Sequence, residues 1–141
     1  MRVYLAAPYQ QKDEIRAYAE ELRAGGVEVT STWLDEPHKP TTQMHELTHE
    51  EHQGYALRDV RDVADADLLV LFTDPSKSIV RQGRTAELGM AIALGLTRYY
   101  PILVVGLEYE NIFHHLEIVR HFKSWTEVKE YLCKLYLRGS F

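Results

Sequence analysis

The chain of 141 residues carries 16 Lys and Arg against 21 Asp and Glu, and 45% of its residues are apolar, as in an ordinary globular protein. The formal net charge of −5 argues against a general nucleic-acid-binding surface, so we expect no polymeric nucleic acid as a partner. No apolar run approaches the ~20 residues of a membrane span, and the amino terminus starts with a strand-like segment rather than a signal peptide. Cys133 is the only cysteine, so we expect no intrachain disulfide. These features predict one cytoplasmic domain over residues 1–141 with no membrane partner.

Predicted strands and helices alternate along the chain. In chain order they are strand Val3–Ala7, helix Gln10–Ala24, strand Val27–Leu34, loop Asp35–Thr42, helix Met44–Ala64, strand Leu68–Phe72, helix Thr85–Leu94, strand Pro101–Val105, helical turn Asn111–Leu116, strand Ile118–Phe122 and helix Trp125–Leu137. This alternation predicts an α/β fold: a single doubly wound domain whose sheet has about five mainly parallel strands, with helices on both faces. The class is flavodoxin-like or Rossmann-like.

Glu87 stands in the segment Gly83–Gly89, which follows the apolar strand Leu68–Phe72 after a polar loop. We expect it in the first turn of the helix that begins at Thr85, beside the crevice where open α/β sheets bind small molecules. The positive end of the helix dipole would keep this carboxylate ionised and able to act as a nucleophile or base. On this segment alone, a favourable first-turn charge explains Glu87 equally well.

Further candidate residues follow the other strands at the same sheet edge. Ala7 and Tyr9 follow the first strand, and Trp33 stands at the end of the second. The two aromatic rings would suit a flat ligand, although core packing accounts for them equally well. Arg81 and Arg84 flank Gly83 at a helix start, which is a reasonable but weak anion site.

Asp59 lies on the predicted long helix, eight residues before Asp67. If its side chain turns inward, it supplies a second carboxylate near Glu87. Cleavage of a glycosidic bond generally uses at least two carboxyl groups in different environments. The charged run at 58–62 is also typical of a solvated helix face, which is the alternative interpretation.

A competing signal is His45-Glu46-Leu47-Thr48-His49, a literal H-E-x-x-H on a predicted helix, with His52 one turn further. Two histidines four residues apart can chelate zinc while the glutamate activates water. The glycine and third histidine of the longer zinc-protease pattern are missing, and the segment is highly charged. With 7 histidines in the chain, so short a pattern recurs by chance. A zinc hydrolase is therefore a remote alternative, and we predict no metal site and no cofactor.

Taken together, the residues resemble the nucleoside 2-deoxyribosyltransferase-like family, which includes the 2′-deoxynucleoside 5′-monophosphate N-hydrolases. The resemblance covers nearly the whole chain. It is carried by Val3–Tyr9, Ser31–Leu34, Ala56–Asp59, Ala66–Asp67, Gly83–Gly89 with Ala91 and Ala93, Glu110–Leu116, Val119–Phe122 and Ser124–Trp125. The tail is similar to a phage and bacterial branch of the family.

The resemblance implies a role for four residues. Glu87 matches the nucleophile that attacks C1′ of the sugar and forms a covalent glycosyl-enzyme, and Asp59 matches the acid that assists departure of the base. Tyr4 matches the tyrosine whose hydroxyl positions the nucleophile. Asn111 falls in the region that reaches into a neighbouring subunit's site, which implies a homodimer or larger homo-oligomer with shared active sites. The substrate implied is a small nucleoside or nucleotide.

Two departures from the family pattern leave the substrate class open. Six residues before the nucleophile, the transferases carry an acidic residue and the nucleotide hydrolases a serine, whereas this chain has Arg81. An arginine there favours a 5′-phosphate over a free hydroxyl. Pro8 replaces the small polar residue of the hydrolases' first loop. The sugar acceptor, a second base or water, also stays open, as does a non-catalytic nucleotide sensor on the same fold.

Overall fold

The computed structural model describes residues 1–37, 46–74 and 83–137. They form one sheet of five strands: β1 (Arg2–Ala6), β2 (Glu28–Val29), β3 (Leu68–Phe72), β4 (Ile102–Val105) and β5 (Val119–Phe122). The strand order is β2-β1-β3-β4-β5, and every neighbouring pair is parallel. The predicted α/β fold with a five-stranded parallel sheet is confirmed.

In these described ranges, four α-helices connect and flank the strands: α1 (Lys12–Ala24), α2 (His49–Asp65), α3 (Gly83–Gly95) and α4 (Trp125–Leu137). The chain moves one way across the sheet from β1 to β2 and the other way from β2 to β3. Because such crossovers are right-handed, α1 lies on the opposite face from α2 and α3. Tyr18 of α1 stacks on Trp125 of α4 with ring centroids 4.9 Å apart, so α4 shares the α1 face. Within the described ranges, no helix combines the length and apolar character needed to cross a membrane.

The hydrophobic core is centred on β1 and β3. All five residues of β3 are buried, as are Val3 to Ala6 of β1. Continuous apolar runs of this kind are typical of parallel strands whose two faces are both covered by helices. The core therefore holds the carboxyl ends of β1 and β3 side by side at one edge of the sheet.

The second strand is shorter than predicted, because β2 ends at Val29 and Thr32–Asp35 forms a 3-10 helix. The Ser31 hydroxyl accepts a hydrogen bond of 2.5 Å from the backbone N–H of Leu5, and the Trp33 indole donates to the Leu5 carbonyl at 2.8 Å. These two side chains take the places that backbone partners would occupy in a longer strand. The prediction of a strand over Val27–Leu34 is wrong beyond Val29.

Two helix boundaries also differ from the predictions. Helix α2 begins at His49 rather than at Met44, because the Thr48 hydroxyl caps it by accepting from the Glu51 N–H at 3.1 Å. Helix α3 includes Gly83 and Arg84, ahead of the predicted start at Thr85. Glu87 is thus the fifth residue of α3 and lies beyond its first turn.

Gly106 follows β4 with φ of +124°, and a Cβ atom there would lie 1.8 Å from Thr73 Oγ1. We expect Gly106→Ala to lower the free energy of unfolding by at least ~1–3 kcal/mol, since both the backbone conformation and the contact are unfavourable. The control is Gly54→Ala on α2, where a Cβ meets nothing within 4 Å and alanine should stabilise the helix by ~0.5–1 kcal/mol. Urea denaturation measures both changes. Equal stability of the Gly106 variant and the parent would contradict the prediction.

Candidate active site

A cavity of about 200 Å³ opens at the carboxyl edge of the sheet, on the face that α2 and α3 cover. It lies where the strand order reverses between β1 and β3, the place where open α/β sheets bind ligands. Its lining residues are Ala7, Tyr9, Trp33, Glu36, Tyr55, Asp59, Gly83, Arg84 and Glu87. The structure thus brings seven of the candidate residues from the sequence analysis to one cavity, and Tyr4 reaches it through a hydrogen bond.

Tyr4 joins the central strand to the cavity. Its side chain is fully buried in β1, and its hydroxyl donates a hydrogen bond of 2.8 Å to Oε1 of Glu87. Burial, together with the nearby charge of Glu87, raises the pKa of Tyr4 well above its usual 10.0. The phenol therefore stays protonated and acts as a fixed donor to the Glu87 carboxyl.

The electrostatics of Glu87 differ from the sequence-based expectation. Burial raises the pKa of its carboxyl to about 8, against the opposing effects of the Tyr4 hydrogen bond and the positive charge of Arg84. The helix dipole acts mainly within the first turn, and Glu87 lies beyond it. The prediction that the first-turn dipole keeps Glu87 ionised is wrong, because loss of water contact outweighs it.

Asp59 turns inward from α2 and lines the same cavity as Glu87. Burial raises the pKa of its carboxyl to about 6, with the charge of Arg58 lowering it and that of Glu36 raising it. The two carboxyls therefore titrate in different ranges. Between a pH of about 6 and about 8, Glu87 therefore holds its proton while Asp59 is ionised.

Tyr9 and Trp33 stand next to each other rather than on opposite sides of the cavity. Their ring centroids are 6.0 Å apart and their planes are inclined by 38°. The Trp33 ring is held in the core by its hydrogen bond to Leu5. The two aromatic rings form one wall of the cavity, against which a flat ligand can pack. They do not face each other across the cavity, so a ligand cannot stack between them.

Arg84 lines the cavity at the start of α3, and its guanidinium pairs with the Glu110 carboxylate at 2.5 Å. Glu110 also accepts a hydrogen bond of 3.2 Å from the Asp74 N–H, so it ties the loop after β4 to the end of β3.

The neighbouring Asn111 accepts from the Phe113 N–H at 3.0 Å and caps the 3-10 helix Ile112–His115. Asn111 is not among the residues that line the cavity of this chain. Arg81 lies outside the described residues.

Sequence reasoning missed two cavity residues, Glu36 and Tyr55. Tyr55 precedes Asp59 by four positions on α2 and so shares its helix face, a signal that the sequence offered. Glu36 comes three residues after Trp33, just beyond the 3-10 helix, and its position depends on that unpredicted turn.

The H-E-x-x-H segment does not lie within a helix as predicted. His49 is the first residue of α2 and is exposed, Glu46 to Thr48 precede the helix, and His45 lies outside the described residues. Among the residues that the structure describes, no three His, Cys, Asp or Glu side chains are grouped to hold a metal ion.

Two solved structures are similar to the chain over nearly its full length. One is a CMP N-glycosidase, BcmB, from Clostridium botulinum, with 24% identity, a TM-score of 0.54, and coverage of 97% of this chain and 99% of that one. The other is a 2-deoxyribosyltransferase from Bacillus psychrosaccharolyticus, with 20% identity, a TM-score of 0.68, and coverage of 93% and 92%. No protein-family model and no curated protein sequence matches the chain. These likenesses show a shared fold, and the α/β fold expected for the chain is confirmed.

The raised pKa of Glu87 predicts a pH-dependent cost of burying its charge. The folded protein holds this proton up to a pH of about 8, whereas the unfolded chain releases it near 4.5, so stability falls as the pH rises through that window. We expect Glu87→Gln to raise the free energy of unfolding at pH 9 by at least ~1 kcal/mol, and by much less at pH ~4. Urea denaturation at the two pH values measures the difference.

The matched control is Glu20→Gln, because Glu20 is an exposed carboxylate on α1. Its effect should be small at both pH values. A stability gain in Glu87→Gln that is equal at pH 4 and pH 9 would contradict the assignment of a buried, titrating carboxyl.

Proposed function

We propose that the protein belongs to the nucleoside 2-deoxyribosyltransferase-like family and cleaves the N-glycosidic bond of a 2′-deoxynucleoside or its 5′-monophosphate. Glu87 is the nucleophile and Asp59 the acid. The observation that carries the proposal is the Glu87 carboxyl, held by Tyr4 at 2.8 Å in the same cavity as Asp59. The two similar structures, named as an N-glycosidase and a deoxyribosyltransferase, support a reaction of this kind.

Near neutral pH the proton shared by the two carboxyls lies on Glu87, so the first step requires its transfer to Asp59. The ionised Glu87 oxygen then attacks C1′ of the sugar. The bond from C1′ to the base nitrogen breaks, and its electron pair leaves with the base. The transition state resembles an oxocarbenium ion, so a carboxylate beside C1′ stabilises the developing positive charge. The product is a covalent glycosyl ester of Glu87. The Tyr4 hydroxyl donates to one carboxyl oxygen and so directs the other at the sugar.

Asp59 handles the proton of the leaving base. A base that departs as an anion is a poor leaving group, and Asp59 donates to it the proton that it received from Glu87. Once deprotonated, the same carboxylate can accept a proton from the incoming acceptor. Water as acceptor completes a hydrolysis, and a second base completes a transfer. In both cases two displacements at C1′ retain the sugar's configuration.

The proposal includes the setting of the reaction. We infer a cytoplasmic enzyme of nucleoside and nucleotide salvage that works without a cofactor on a small-molecule substrate. We also infer a homodimer or larger homo-oligomer in which the loop carrying Asn111 serves a neighbouring copy's site. The position of Asn111 outside its own chain's cavity is compatible with that role.

The test of the nucleophile is Glu87→Ala and Glu87→Gln, assayed by chromatography with deoxynucleosides and their monophosphates, each with and without a second base. We expect the parent to release free base or form a new nucleoside. Both variants should lose at least ~10³-fold of that rate. Mass spectrometry of the quenched parent should detect one added deoxyribosyl group on Glu87. Glu20→Gln, on the exposed face of α1, is the control for loss of a carboxylate.

Each outcome of this assay has a distinct meaning. Base release by the parent together with substantial activity in both Glu87 variants would overturn the role of Glu87. No reaction with any substrate would overturn the enzyme assignment and favour the nucleotide sensor.

Arg81 gives a separate prediction about the substrate. If its guanidinium binds a 5′-phosphate, Arg81→Ala should weaken monophosphates by ~1.5–3 kcal/mol, the value of a charge-assisted hydrogen bond, and spare nucleosides. Values of kcat/KM for one nucleoside and its monophosphate measure the difference. Arg84→Ala is the comparison, since Arg84 is already paired with Glu110 and its loss should disturb both substrates alike. Equal losses for both substrates in Arg81→Ala would rule out a phosphate role.

A further inference from the structure

Arg58 holds two carboxyl groups of the cavity together. Its Nη2 atom contacts Oε1 of Glu36, and the same atom lies 3.4 Å from Oδ1 of Asp59. Both acidic residues line the cavity. A ligand group that reaches Asp59 therefore meets a second carboxylate immediately beside it.

Glu36 is firmly placed for a residue in a loop. Its side chain is only 9% exposed, and its backbone carbonyl accepts a hydrogen bond of 2.6 Å from the Lys12 ammonium, which is itself buried. Oε1 is engaged by Arg58, whereas Oε2 has the Tyr9 hydroxyl at 3.4 Å, a long contact. The carboxylate retains acceptor capacity toward the cavity. A fixed acceptor of this kind recognises a hydrogen-bond donor on a ligand.

We propose that Glu36 determines which nucleobase the site accepts, by receiving a hydrogen bond from an amino group of the base. The base it selects carries that amino group next to a ring nitrogen with a free lone pair, as adenine and cytosine do. This inference rests on the proposed function, because it assigns the base to the end of the cavity where Asp59 donates its proton.

The selectivity follows from the order of donors and acceptors. Below a pH of about 6 Asp59 is protonated and donates to the ring nitrogen, while the adjacent Glu36 accepts from the neighbouring amino group. Hypoxanthine and uracil are the matched oxo bases, and they carry an oxygen where the amino group would be. Their oxygen would face the Glu36 carboxylate, and two acceptors in contact leave both unpaired and repel each other. A site built around a polar contact rejects such analogues more strongly than an apolar pocket does.

Binding of free bases tests the inference without requiring catalysis. We would measure adenine against hypoxanthine, and cytosine against uracil, by calorimetric titration at pH ~5, where Asp59 is protonated. The proteins compared are the parent, Glu36→Gln and the control Glu20→Gln. The parent and the control should bind each amino base at least ~10-fold more tightly than its oxo partner, the discrimination expected for one hydrogen bond to a charged group. In Glu36→Gln the ratio should fall below ~3-fold, because an amide can turn either a donor or an acceptor toward the base.

Equal affinities for the two members of each pair in the parent would overturn the inference, and so would a failure of the parent to bind any of the four bases. An unchanged ratio in a folded Glu36→Gln protein would overturn it as well. The parent measurement stands even if that variant does not fold. Cleavage assays on the four corresponding deoxynucleosides separate the two proposals: cleavage of all four at equal kcat/KM keeps the function and rejects the role of Glu36. Amino-selective binding of bases without any cleavage rejects the function and keeps base recognition by Glu36.

Discussion

The reversal of strand order between β1 and β3 is the constraint on which the site depends. It leaves a crevice at the carboxyl edge, and the hydrogen bond from Tyr4 to Glu87 spans that crevice between residues 83 positions apart. A tyrosine in a fully buried central strand requires a partner for its hydroxyl, because an unsatisfied buried donor is costly. Glu87 supplies that partner, and the bond fixes the orientation of its carboxyl relative to the sheet. The same contact therefore satisfies a buried donor of the core and orients the carboxyl that we propose as the nucleophile.

Burial works against the ionised form of both cavity carboxyls, but to different extents. The pKa of Glu87 is raised to about 8, whereas that of Asp59 is raised to about 6 because Arg58 offsets part of the cost of burial. An ionised Glu87 is thus poorly stabilised by its protein surroundings. In the proposed reaction, positive charge develops at the sugar carbon and would stabilise the ionised Glu87 carboxylate, which has little contact with water. This attraction would strengthen as the transition state is approached. This difference between ground state and transition state is what accelerates a chemical step.

The parts of the fold that local pattern controls were predictable. The apolar run Leu68–Phe72 and the alternation of strands with helices were enough for the parallel sheet, and the motif spacing pointed to Glu87 and Asp59. The region after β2 was not predictable, because its course depends on Ser31 and Trp33 bonding to the backbone of Leu5, more than twenty residues away in sequence. Glu36 was missed for the same reason. The dipole argument for Glu87 failed because it considered one helix and left out the water that neighbouring elements exclude.

Arg84 shows how the loop after β4 and the cavity constrain each other. Of the residues that line the cavity in the described ranges, Arg84 alone carries a positive charge, and Glu110 already pairs with it. A substrate phosphate that approached Arg84 would have to displace that carboxylate, and Glu110 would then lose its partner while still bonded to the Asp74 N–H. Exchange of one anion for another gains little, and release of Glu110 would free the loop that carries Asn111. The ion pair is therefore better suited to holding this loop against α3 than to binding a phosphate, so a substrate with a 5′-phosphate would require a different cation.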